Sequence, residues 1–134
     1  MSAFSDAAYK AASEAKVQAE RALQAANAKL KDAQDQVVTD KAVVSREYAI
    51  YSQISAKRTR GEVTQAQYDE AFHNYQFAID RVSSDGVWLK SAENELRDAQ
   101  DDYNEAFANW RQACLLYTSP SPRDRTRSRM PSSA

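Results

Sequence analysis

Large apolar residues recur every seventh position from Tyr68: Tyr68, Tyr75, Val82, Leu89, Leu96, Tyr103 and Trp110. Three residues after each comes a small one, Ala71, Ala78, Ala92, Ala99, Ala106 and Ala113, with Asp85 once in place of alanine. The first half of the chain repeats the scheme. Leu23, Leu30, Val37, Val44 and Tyr51 are seven apart, accompanied by Ala12, Ala19, Ala26 and Ala33, before the small positions turn polar at Asp40 and Glu47. A seven-residue apolar period sustained over this length predicts coiled-coil helices. One narrow apolar seam does not stabilise an isolated helix, so each helix needs a partner.

The boundaries follow from the local chemistry of helix ends. Ser5 is a suitable N-cap, and Asp6 follows it in the first turn. Lys57, Arg58 and Arg60 suit the negative end of a helix, and Gly61 suits a left-handed cap. Thr64 and Gln67 form the S/T-x-x-E/Q pattern of a capping box, with Val63 placed to staple against Tyr68. The expected fold is all-α: a long two-helix antiparallel coiled-coil hairpin, with a helix over about 5–57, a turn at 58–63 and a helix over about 64–113. Ser83-Ser84-Asp85-Gly86 contains poor helix formers. The seam nevertheless keeps its phase from Val82 to Leu89, which predicts a continuous helix. The alternative is a third helix starting near Ser84.

Folding back about Arg60 and Gly61 sets Asp40 against Arg81 and Lys41 near Asp80. Asp40, Lys41, Asp80, Arg81 and Asp85 are therefore expected to form one polar layer that fixes register, with partly exposed surface charge as the other reading. Val43, Tyr48, Ile50, Phe72, Phe77 and Ile79 lie off the seam in the turn-proximal half. They are expected to form a patch for association, either with a second copy in a four-helix bundle or with another helical protein.

The C-terminal stretch changes the composition. Cys114 to Asp124 reads CLLYTSPSPRD, and Ser128 to Ala134 reads SRMPSSA. Both blocks resemble, in one frame and at the right separation, the translation of a sequencing-library adapter. The resemblance implies that 114–134 is a non-native, disordered tail, that the hairpin of 1–113 is truncated at its C-terminus, and that an intact gene continues past Ala113, possible catalytic domain included. All three prolines and the single cysteine lie in that tail. Leaving out its four arginines and one aspartate moves the formal net charge from −1 to −4. A mildly acidic body is not expected to bind nucleic acid.

Candidate chemistry is sparse. His73 is the only histidine and falls on the outer face, so no metal or other cofactor is expected. No phosphate-binding, dinucleotide-binding or nucleophile-elbow motif occurs, and no enzymatic activity is expected of 1–113. No run of about 18 apolar residues is present, so no membrane span is expected. With no export signal after Met1, the expected location is the cytoplasm if Met1 is the true start.

RGEVTQAQYDEA, between LQAANAKLKDAQ and SAENELRDAQ, resembles the coiled-coil hairpin of periplasmic membrane-fusion (adaptor) proteins. The resemblance implies a docking tip at Arg58, Arg60, Gly61, Val63 and Thr64, and a place in an efflux or secretion system. That family carries an export signal and a half lipoyl-like β domain before the hairpin, and neither is seen ahead of this one. Helical hairpins of large bacteriocins and of phage structural proteins are alternatives. The leading expectation is a structural or protein-interaction module acting as spacer or docking arm.

Overall fold

A computed structural model describes the backbone of residues 3–118 and the side chains of residues 6–116. It contains two helices, α1 (Ala3–Thr59) and α2 (Gln65–Thr118), joined by a short turn into a hairpin. No strand occurs among the described residues. Helix α2 runs unbroken through Ser83-Ser84-Asp85-Gly86, so no third helix begins near Ser84. Gly86 weakens the helix locally, but one glycine costs only about 1 kcal/mol against the many interactions around it.

The ends of the helices are set by side chains adjacent in sequence. Gly61 has φ +75, the left-handed conformation that glycine adopts at little cost. The Gly61 N–H donates to the Arg58 carbonyl at 2.9 Å and the Glu62 N–H to the Lys57 carbonyl at 2.9 Å. This pair of bonds is the Schellman closure of a helix end. On the other side, Thr64 Oγ1 accepts from the Gln67 N–H at 3.1 Å, while Gln67 Oε1 accepts from the Thr64 N–H at 2.9 Å. The capping box is therefore closed in both directions.

Four boundaries differ from expectation. Helix α1 begins at Ala3, so Ser5 lies within the helix rather than capping it. Helix α1 runs two residues beyond Lys57, and Thr64 is the cap of α2 rather than part of it. Helix α2 continues past Ala113 through Cys114, Leu115, Leu116 and Tyr117 to Thr118, so the start of the expected disordered tail is helical. None of these residues breaks a helix, and the strongest breaker downstream is Pro120, which disfavours helix in the residue before it. The remainder of that expected tail, 119–134, lies outside the described residues.

The chain divides into two compact units. One is the turn-proximal stretch Ala25–Arg97; the other joins the N-terminal residues up to Gln24 to those from Asp98 onward. In the turn-proximal unit the helices run antiparallel, as shown by the ion pair between Lys29 Nζ and Glu95 Oε2 at 2.9 Å and by the Tyr48–Tyr75 ring contact. In the other unit, Lys16 Nζ lies 4.2 Å from the Trp110 ring centre and 5.9 Å from that of Phe107, across the same kind of pairing.

Alanine forms the innermost row. Among the described residues the buried apolar side chains are Ala26, Ala33, Ala71, Ala78 and Ala92, all at the small positions of the heptad. The large seam residues from Leu23 to Trp110 are half-buried without exception. Small residues let two backbones approach closely. Two helices alone, however, cannot wrap a leucine or tyrosine, which needs neighbours on more sides.

Candidate functional site

The polar layer forms, with different partners. Asp40 takes the place of a core alanine and is only 4% exposed. It faces Asp85 of α2 rather than Arg81. Gln36, one turn earlier on α1, donates its Nε2 to both Asp40 oxygens at 3.1 Å. Arg81 stays exposed, close enough to act on both carboxyls by charge, and its guanidinium lies 6.0 Å from the Phe77 ring. Lys41 and Asp80 are exposed and form no ion pair with each other; Lys41 borders a surface groove instead. The layer thus comprises Asp40, Asp85, Gln36 and Arg81, without Lys41 and Asp80.

The reason is a shift of the turn. The loop runs from Arg60 to Thr64 and is centred on Glu62, not between Arg60 and Gly61. Moving the centre of a hairpin by one and a half residues slides the facing helix by about three, close to one turn. That replaces Arg81 by Asp85 opposite Asp40.

Two facing acids in a buried layer cannot both ionise cheaply. The Asp85 carboxyl is pushed above its ordinary value by its hydrogen bond to Asp40, by burial and by the Asp40 charge, against an opposing effect of Arg81. Asp40 is held below its ordinary value, first by that same hydrogen bond, then by Gln36 and, more weakly, Arg81. Asp85 Oδ2 is shielded from solvent and meets no ordinary donor. A proton held by the Asp85 carboxyl would let it donate to ionised Asp40, so one proton shared by the pair would satisfy both groups.

Nearer the turn the seam is aromatic. Tyr51 packs against Tyr68, Phe72 and Tyr75 with ring centres 5.5–5.7 Å apart, and Tyr48 meets Tyr75 at 5.5 Å. The Tyr51 and Tyr68 hydroxyls share a hydrogen bond of 3.0 Å. That bond, with burial, raises the Tyr51 pKa above its ordinary value. The Arg58 guanidinium lies 4.0 Å from the Tyr68 ring centre, within cation–π range. Arg60 is paired with Glu62 at 3.1 Å, and Val63 is half-buried. At the turn, then, Arg58 and Arg60 already have partners within the hairpin.

The six expected association residues do not make one patch. Positions four after a seam residue lie on one flank of the hairpin, and positions one before it lie on the other. Tyr48, Phe72 and Ile79 fall on the first flank; Val43 and Ile50 fall on the second, with Phe77 further round on that side. Two separate grooves reflect the split. One involves Lys41, Ser45, Ile79 and Ser83, the other Ile50, Gln67, Glu70 and Asn74. Val43 and Ile79 are half-buried, whereas Tyr48, Ile50, Phe72 and Phe77 are exposed, Phe77 to 60%.

Sequence reasoning missed Gln36, although Gln and Asp four residues apart on a helix are a recognised pair. It also missed Val38, 70% exposed on the first flank. Among the described residues no helix is long and apolar enough to cross a membrane, and no three His, Cys, Asp or Glu side chains gather as a metal site requires. No protein-family model, no curated protein and no solved structure matches the chain.

Proposed function

We propose that this hairpin is a structural and protein-interaction module, a spacer or docking arm whose packing is completed by helices from outside it. One observation carries the reading. Nothing apolar larger than alanine is fully buried among the described residues, while Val38, Tyr48, Phe72 and Phe77 are exposed on its flanks. Full burial of a Leu, Val or Phe is worth roughly 1.5–3 kcal/mol, and a half-buried seam residue realises only part of it. The rest is available to whatever covers the flanks. The occupant favoured by a long antiparallel hairpin is a second copy, giving a four-helix bundle in which one flank and the seam beside it are enclosed.

Sedimentation of the full chain across concentration tests this. The mass is expected to exceed that of one chain by about 100 μM, which corresponds to an affinity modest for a protein interface. The thermal midpoint should rise with concentration, as it does when association stabilises the folded form. A single hairpin at every concentration, with a concentration-independent midpoint, overturns the proposal.

A further inference from the structure

Both flanks of the turn-proximal unit carry exposed apolar residues, and they differ in charge. Between Val38 and Ser52 on α1, and Phe72 and Gly86 on α2, the first flank carries Lys41 as its single charge, among Ser45, Ser52 and Ser83. The second flank carries Arg46 and Arg81 over the same height. A two-fold contact sets a surface against itself, so each charge meets the field of its own copy. A nearly neutral face escapes that repulsion, and interface cores are depleted of charge for the same reason.

The first flank also holds both halves of a fit. Its projection is Phe72, 42% exposed and held by ring contacts to Tyr51 and Tyr68, so little freedom is lost when it docks. Its recess is the groove between Lys41, Ser45, Ile79 and Ser83, about 370 Å3 in volume and floored by Val44 and Val82. Phe72 precedes Ile79 by two helical turns, about 10 Å along the axis. A parallel pairing would put Phe72 beside Phe72 and leave the grooves empty. An antiparallel pairing, with the two-fold axis crossing α2 near Gln76, brings each Phe72 over the groove of the other copy.

We propose that a second copy of the chain docks on this charge-poor flank, α2 against α2 and antiparallel, with each Phe72 seated between Ile79 and Ser83 of its mate. The inference rests on the reading of the hairpin as an interaction module and specifies the partner, the face and the direction.

The test uses the full chain. Ser83→Arg places a charge in the recess at an exposed site, and Ile50→Arg does the same on the opposite flank; circular dichroism verifies that both remain helical. Ser83→Arg should weaken association by at least about tenfold, as for a central interface residue, and Ile50→Arg should leave it intact. Gln76→Cys, in a Cys114→Ser background, should form a disulfide with its own copy, whereas Phe77→Cys should not. If the native chain associates but only Ile50→Arg disrupts it, the face is wrong and the interaction module stands. If Ser83→Arg disrupts it but Gln76→Cys does not cross-link, the antiparallel pairing is overturned. A native chain that never associates overturns both the pairing and the proposed function.

Discussion

Tyr51 and Tyr68 meet hydroxyl to hydroxyl across the seam, and about three turns further from the loop Asp40 and Asp85 meet carboxyl to carboxyl. Each layer sets two like groups face to face between the same two helices. The phenols do so readily, because a hydroxyl can both give and accept a hydrogen bond. The acids do so cheaply only when one of them holds a proton. The seam therefore has one layer indifferent to pH over most of its range and one that depends on it. Surrounding contacts widen the contrast, since rings pack against Tyr51 while Gln36 and Arg81 attend Asp40.

The largest expected effect comes from the aromatic layer. Tyr51→Ala removes a ring that touches Tyr68, Phe72 and Tyr75. Because the site is half-buried, the loss should fall below that of a fully buried aromatic, at about 2–3 kcal/mol in urea unfolding followed by helicity. A loss under about 1 kcal/mol would show that the rings do not anchor the turn-proximal unit.

The carboxylate layer should show itself through pH. Asp85 has a raised folded value, so its contribution is fully present below the unfolded value and is lost as pH rises through the folded one. Asp40 has a lowered folded value, so its contribution is present above the unfolded value and is lost as pH falls through the folded one. Stability from this pair should peak between the two and decline from about pH 4 toward neutrality. Asp85→Asn keeps a donor facing Asp40 and removes the titration. Its thermal midpoint should exceed the native one at neutral pH and should lose the decline. An unchanged slope in that variant would place the pH dependence elsewhere. Tyr51, also raised, should contribute a separate loss only in strong alkali, as pH passes its folded value.

The turn offers a smaller effect that both layers share. Gly61→Ala forces a side chain into a left-handed backbone conformation, at a cost of about 1 kcal/mol and without altering the pH slope. Measuring both quantities on this variant separates closure of the hairpin from the chemistry of its seam. A changed slope would mean that the turn and the acid layer are not independent.

The legible parts of the structure are those set by neighbours in sequence. The Gly61 cap, the Thr64–Gln67 box, both helices and the passage of α2 through Gly86 all follow from residues within a few positions of one another. The large residues of the heptads are half-buried, and the buried apolar residues all fall at their alanine positions. What failed depended on adding local errors over a distance. Ending α1 two residues early and counting Thr64 as helical moved the turn centre slightly, and α2 consequently slid by nearly a turn. Counting from the nearer centre predicts Arg81 opposite Asp40, whereas Asp85 stands there and two acids meet. The association residues divide for a related reason. Val43 and Tyr48, close in sequence, stand on opposite flanks because five residues carry a helix well past one turn.

The smallest effect should be a gain. Gly86 sits in the middle of α2 next to Asp85, and a Cβ built there meets nothing within 4 Å. Its backbone is helical and its φ is not in the left-handed region. Gly86→Ala should therefore raise stability by about 0.5–1 kcal/mol, by reducing the freedom of the unfolded chain and improving helix propensity. The substitution leaves both carboxyls in place, so the decline toward neutral pH should persist at a higher overall midpoint. If the gain came with a flattened pH slope, weakness of this layer would belong to its backbone. A gain with the slope preserved would assign the slope to Asp40 and Asp85 themselves. Since Gly86 borders the charge-poor flank, a methyl group there should leave association unchanged or slightly stronger, which the same sedimentation measurement would record.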